Sequence, residues 1–158
     1  MSYPSIPQKK TPSDLLVTVG TDIRAAPEVV FEVIEDIESF VRLEENVHKV
    51  TIIGDVKRGL GMKSRWEMHE PSNGPAWFCD EEIVHYDKPN QIAYIGENDD
   101  GKGYAGVHNL ERKPDGTTRL VFNEVFHFPV DESIRQVVEG MVSNVKKESE
   151  RRAGERRG

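Results

Sequence analysis

Two stretches of the chain repeat their apolar positions at helical spacing. The first opens at Ala26-Pro27-Glu28, where proline fits because the N–H it lacks would be unpaired in a first helical turn. Val29, Val30, Val33, Ile34 and Ile37 then make one buried stripe. Phe40 and Val41 carry the apolar stretch beyond an expected break near Asp36. The second follows Pro129, with Asp131 available to cap it by accepting backbone N–H bonds. Ile134, Val137, Val138, Met141, Val142 and Val145 recur at three- and four-residue steps. They predict a helix of roughly 20 residues with one face against a large apolar surface.

Between and before these helices the period changes to two. Met62, Ser64, Trp66 and Met68 alternate with Lys63, Arg65, Glu67 and His69, which is a strand with one polar face. Strand-like runs also cover Leu15 to Ile23, Val47 to Asp55, Met62 to Glu70, Ala76 to Tyr86, Gln91 to Glu97, Tyr104 to Arg112 and Thr117 to Phe128. Turn residues separate them, at Gly59-Leu60-Gly61, Pro71 to Pro75, Lys88-Pro89-Asn90, Asp99-Asp100-Gly101 and Pro114-Asp115-Gly116. Connections this short join antiparallel neighbours. The order is strand, helical segment, six strands, long helix, which is an α+β domain. Its physical solution is a curved seven-stranded antiparallel sheet wrapped around the long C-terminal helix. A gap between helix and sheet is the expected ligand cavity.

Composition narrows the setting. Leu, Ile, Val and Phe number 6, 10, 18 and 6, about a quarter of the 158 residues, enough for a folded core. The excess of Val over Leu favours strands. No apolar run approaches the ~20 residues of a membrane span, and the N-terminal segment has no apolar export core. Cys79 is the only cysteine, so no disulfide framework exists. A cytoplasmic protein is expected. The net charge of −7 argues against nucleic acid as a partner. Between Lys146 and Arg157 lie six basic and three acidic residues, a local +3, which leaves 15 basic and 25 acidic residues, −10, for the rest. The expected organisation is a flexible leader over 1–13, one domain over 14–150 and a charged tail over 151–158. The tail reads as a solvated helix end favoured by the dipole, or as an electrostatic dock for an acidic partner or lipid surface.

Few residues point to chemistry. Gly101-Lys-Gly-Tyr-Ala-Gly106 has the GxGxxG spacing, but a dinucleotide site needs a helix after it, and the next residues read as a strand. The five histidines form no HxxxH or HExxH pattern, so no metal and no cofactor is expected. His108 shares strand parity with Tyr104 and Leu110, and if that face is internal its imidazole is a candidate acid or base. Glu81 shares parity with Trp77, Cys79 and Ile83, and Glu124 with Phe122 and Phe126. A carboxyl among such neighbours is either paired, for instance with Arg65 or Arg119, or has a raised pKa suited to acid–base work. Met62, Trp66, Met68, Trp77, Tyr104, Phe122 and Phe126 are the candidate ligand-contacting surface, since thioether and aromatic groups suit a flat apolar ligand.

Three stretches resemble a known family. Ile23 to Phe40 (IRAAPEVVFEVIEDIESF) resembles the first strand and helix of the START-like, or SRPBCC, superfamily of polyketide cyclases/dehydrases and lipid-transport proteins. Trp77 with Glu82 to Tyr94 (EIVHYDKPNQIAY) is similar to its fourth strand, proline-containing turn and fifth strand, and Leu110 with Pro114 to Leu120 (PDGTTRL) to its next hairpin. The resemblance covers about residues 14 to 150 and implies the helix-grip fold. It implies a hydrophobic or aromatic small-molecule ligand, lipid- or polyketide-like, in an internal cavity. As an alternative it admits a cyclase/dehydrase-like enzyme using Glu81, His108 or Glu124 as acid or base, and as a second alternative a protein-interaction module of the co-chaperone type. Fold alone does not choose among these.

Overall fold

The computed structural model describes residues 3–69 and 77–157. The expected turn at Pro71 to Pro75 lies outside them. Seven strands form one antiparallel sheet: β1 (Leu15–Ile23), β2 (Val47–Ile53), β3 (Lys63–Met68), β4 (Trp77–Asp87), β5 (Gln91–Asn98), β6 (Gly103–Arg112) and β7 (Thr118–Phe126). The spatial order is β1-β7-β6-β5-β4-β3-β2. Strands β2 to β7 are therefore a meander, and β1 joins the far edge beside β7. The helical link from β1 to β2 must cross from one edge of the sheet to the other. It does so as α1 (Pro27–Glu35), a 3-10 turn at Ile37–Ser39 and α2 (Phe40–Leu43). The break falls at Asp36, whose ψ of 75° leaves the helical region.

Helix α3 spans Ile134–Arg157, 24 residues, and is longer than its apolar stripe predicts. Asp131 does not cap its first turn directly. Its Oδ1 accepts from Ser133 N at 2.8 Å, just ahead of the helix. At the other end Ala153 is 7% exposed, and Arg156 pairs with Glu32 of α1 at 2.6 Å. Val138, Met141, Val142 and Val145 are buried, so the stripe does face the core.

The alternation seen in the sequence selects the faces. On the inner face stand Ile92 and Tyr94 of β5, Tyr104 and His108 of β6, and Phe122 and Phe126 of β7. A bulge in β4 between Ile83 and His85 inserts one residue. It restores Tyr86 to the inner side, where its hydroxyl donates to buried Glu35 at 2.9 Å. The outer face is partly covered by the N-terminal segment. Asn109 and Asn123 donate to the Ser5 carbonyl at 2.9 and 3.1 Å, and Tyr3 stacks on His85.

Candidate functional site

The sheet does not close on α3, and the space left is a cavity of about 620 Å³. Its walls come from four sources. Ile34, Ile37 and Phe40 enter from the helical segment after β1, Glu44 and Asn46 from the α2–β2 connection, Val137 and Met141 from α3, and the other wall residues from the inner faces of β3 to β7. Its rim is formed by the β5–β6 turn, Asn98 to Asp100, and by the segment from Phe128 to Ser133 that leads into α3. Asp99, Asp100, Pro129, Asp131 and Ser133 on this rim are exposed.

Of the candidate ligand-contacting residues, Trp66 and Met68 of β3, Trp77 of β4, Tyr104 of β6, and Phe122 and Phe126 of β7 all line the cavity. Met62 does not. It precedes β3, is buried at 3% exposure, and packs within the hydrophobic core instead. The alternation that places Met62 on the inner face is right, but the inner face extends beyond the cavity. The three acid–base candidates Glu81, His108 and Glu124 also line it.

Neither glutamate is paired with arginine. Arg65 is bound to Asp80 at 2.9 Å and Arg119 lies beside Asp22. Tyrosines take that place. Tyr104 donates its hydroxyl to Glu81 Oε2 at 2.7 Å, and Tyr94 donates to Glu124 Oε2. The sheet register explains both. Tyr94, Gly106 and Glu124 are opposite one another on β5, β6 and β7. Glu81, Gly96 and Tyr104 are opposite one another on β4, β5 and β6. Each tyrosine thus lies flat over a glycine of the neighbouring strand and reaches a carboxyl one strand further on. A Cβ on Gly106 would sit 2.4 Å from the Tyr94 ring, and one on Gly96 2.5 Å from the Tyr104 ring. The third glycine of the GxGxxG pattern is therefore a seat for an aromatic ring inside a strand. No helix follows it.

These carboxyls hold their protons unusually tightly. Burial pushes Glu124 up to about 7, against a smaller lowering by the Tyr94 bond. Burial pushes Glu81 well above the usual carboxyl range, opposed by the Tyr104 bond and reinforced by the charges of Glu124 and Glu44. Glu44, between α2 and β2, is raised to about 8 by burial and by Glu124. Burial likewise drives Tyr94 and Tyr104 upward, Cys79 to about 11, and His108 down to about 3. At neutral pH His108 is an uncharged imidazole. It is 4% exposed, tilted against Phe122 at 4.3 Å between ring centroids, and its Nδ1 has no partner.

Three polar residues of this site are not marked out by the sequence pattern. Glu44 and Asn46 sit in a connection, where parity does not apply. Tyr94 alternates with apolar residues like any core tyrosine, and its one clue is the strand-interior glycine opposite it. Among the described residues no group of three or more His, Cys, Asp or Glu is placed to hold a metal ion. No helix among them is long and apolar enough to cross a membrane.

Comparison with known proteins agrees with this architecture. Residues 15–155 match the family described as polyketide cyclase / dehydrase and lipid transport. Among solved structures the fold is similar to Ara h 8.0201, with a TM-score of 0.65 at 16% identity over 89% of this chain and 98% of that one. It is similar to TTHA0849 from Thermus thermophilus, with a TM-score of 0.67 at 18% identity over 85% of this chain and 97% of that one. It is also similar to major latex-like protein 151 from Panax ginseng, with a TM-score of 0.66 at 13% identity over 89% and 97%. At such identities the likeness is one of fold. No curated protein sequence matches the chain.

Proposed function

From the premise that this chain belongs to the polyketide cyclase / dehydrase and lipid transport family, we propose that it binds a hydrophobic or aromatic small molecule in the cavity between sheet and α3. One observation carries the reading. A space of about 620 Å³ is walled by Trp66, Phe40, Phe122, Phe126 and Met141, yet has the Tyr94–Glu124 and Tyr104–Glu81 pairs on its sheet side. Apolar walls supply affinity by removing ligand surface from water, about 25 cal/mol per Å². A few convergent polar groups orient what enters. Volumes of roughly 300–1,000 Å³ are typical of small-molecule sites.

Native mass spectrometry of freshly purified protein, followed by titration with an apolar fluorescent probe read through Trp66 and Trp77, tests this. A stoichiometric passenger, or saturable probe binding with tryptophan quenching, supports it. An empty protein that binds no probe overturns it.

A second reading, a cyclase- or dehydrase-like enzyme, is favoured by Glu124 alone. A carboxyl titrating at about 7 is matched to proton transfer near neutral pH. Neutral Glu124 can give a proton to a ligand oxygen, and the Tyr94 hydroxyl bonds the carboxylate that remains. Under this reading Glu124→Gln abolishes turnover and keeps affinity; under the carrier reading it changes affinity or nothing.

A further inference from the structure

The side chains that can bring charge into the cavity at neutral pH have one sign. Glu44, Glu81 and Glu124 line its interior, and Asp99, Asp100 and Asp131 line its rim. Among the described residues no lysine or arginine lines it. His108 adds no positive charge, since burial keeps its imidazole neutral. The hydroxyl hydrogens of Tyr94 and Tyr104 are already given to Glu124 and Glu81, so neither is left to donate to a ligand.

A second observation points the same way. Asn46 lines the cavity, is 5% exposed, and its Oδ1 has no hydrogen-bond partner. A buried acceptor left unpaired is costly, and a donor brought by a ligand would recover that cost. The unpaired Nδ1 of His108, which lines the same cavity from β6, is a further polar atom waiting for a partner.

We propose that the cavity is selective for a hydrophobic amine, whose ammonium group is attracted by the acidic set Glu44, Glu81 and Glu124 and bonds one of these carboxyls, with the Asn46 amide oxygen as a further acceptor. The inference rests on the small-molecule reading above and names the ligand class for that site. The three carboxyls are not placed to share one metal ion, so the ammonium bonds one carboxylate directly and the other two act on it through their charge. Aromatic walls at Trp66, Tyr104 and Phe126 suit it further, because a cation is attracted to ring faces. A fatty acid is the wrong ligand here. Its carboxylate would enter a space with three acidic groups and no facing cation.

The amine also resolves the protonation of the empty site. Without a ligand, three carboxylates in one apolar space repel one another and are poorly solvated, so they keep their protons. An incoming ammonium favours ionisation of at least one. Amine binding therefore releases protons to solvent. The titratable groups facing the site are Glu44 from the α2–β2 link, Cys79 and Glu81 from β4, and Tyr94 from β5. Tyr104 and His108 of β6, Glu124 of β7 and the rim aspartates complete the set, and none of them supplies a positive charge at neutral pH.

Isothermal titration with two matched headgroup series tests the proposal: naphthylethylamine, naphthylethanol and naphthylacetate, and the ten-carbon amine, alcohol and carboxylate. The expected order is amine, then alcohol, then carboxylate, with the amine at least about tenfold tighter than the alcohol. Amine heats should vary with buffer ionisation enthalpy in the sense of proton release, and alcohol heats should not. Glu124→Gln keeps an acceptor for Tyr94; it should weaken the amine by about tenfold more than it weakens the alcohol. Alcohol binding equal to or tighter than the amine overturns the amine inference while leaving the small-molecule reading standing. No binding of any member of either series overturns both.

Discussion

Tyr94 reaches Glu124 across the whole width of β6 because the residue between them is glycine. The hydroxyl donates to the carboxyl, and the ring lies over Gly106 with no room for a side chain beneath it. The same arrangement runs in the opposite direction from Tyr104 over Gly96 to Glu81. Two tyrosines on adjacent strands thus brace two carboxyls on the strands outside them, and the aromatic rings form the sheet side of the cavity.

Gly106→Ala should break one of these braces. The new methyl would meet the Tyr94 ring at 2.4 Å, so the ring must lift and its hydroxyl must leave Glu124. Overpacking of this kind costs about 1–3 kcal/mol, readable in urea unfolding. The Tyr94 bond lowers the Glu124 pKa, so its loss should move the carboxyl above about 7. Carbon-detected NMR titration of Glu124 checks this. An unmoved titration would mean that the brace is not what sets it.

Glu124→Gln should flatten part of the pH dependence of stability. Glu124 titrates at about 7 in the folded chain against 4.5 for an ordinary glutamate. Its contribution is fully present below pH 4.5 and is lost as pH rises through 7, because the unfolded chain ionises first. Glu44 behaves alike from 4.5 to about 8. The wild type should therefore lose stability between about pH 5 and 8, the window these two pKa values define. The variant should lose up to about 3 kcal/mol less over that interval, measured by urea unfolding at each pH.

The sheet, the meander order and α3 were readable because their signal is local. Periods of 2 and 3.6 and the turn residues of each connection need no knowledge of the rest of the chain. Glu81, His108 and Glu124 were readable for the same reason, as polar residues on apolar strand faces. Their partners were not. That Tyr94 meets Glu124 depends on the register of three strands, which parity along one strand does not contain. Glu44 and Asn46 lie between α2 and β2, where no period exists to mark a face. Met62 shows the opposite failure: its parity is correct, and the cavity simply ends before it.

Glu35 should prove the anchor of the α1 terminus. It is 3% exposed, accepts from Tyr86 at 2.9 Å, and pairs with Lys88 Nζ at 2.6 Å and Arg58 Nε at 3.7 Å. Both cations are partly solvated and can return to water when the carboxyl is lost, whereas the Tyr86 hydroxyl loses its acceptor. Glu35→Ala should cost about 2 kcal/mol by urea unfolding. Tyr86→Phe should cost less, about 1 kcal/mol, since Lys88 still neutralises the carboxylate.

Truncation after Glu150 should destabilise the domain although it removes mostly charged residues. The removed end of α3 contains Ala153, buried at 7% exposure, and Arg156, paired with Glu32 on α1 at 2.6 Å. The apolar contact and the partly exposed pair together are worth roughly 1–2 kcal/mol. Thermal unfolding should fall by a few degrees. An unchanged midpoint would place the functional end of the domain at residue 150.

His108→Leu should stabilise the protein, and increasingly so in acid. The imidazole is buried against Phe122 with Nδ1 unpaired, so an apolar side chain of similar size removes a desolvated polar atom without opening a cavity. The pH dependence separates this from a simple packing gain. Burial holds His108 at about 3 in the folded chain against 6.5 for a free imidazole. Its folded pKa is depressed, so the unfolded chain takes up the proton first. The imidazole's own contribution to wild-type stability is lost as pH falls from 6.5 toward 3, and the leucine variant has no such loss. The advantage of the variant should therefore grow by up to about 3 kcal/mol between about pH 7 and pH 4, by urea unfolding at both. A constant difference would show instead that the imidazole has a partner inside the cavity that keeps it protonatable.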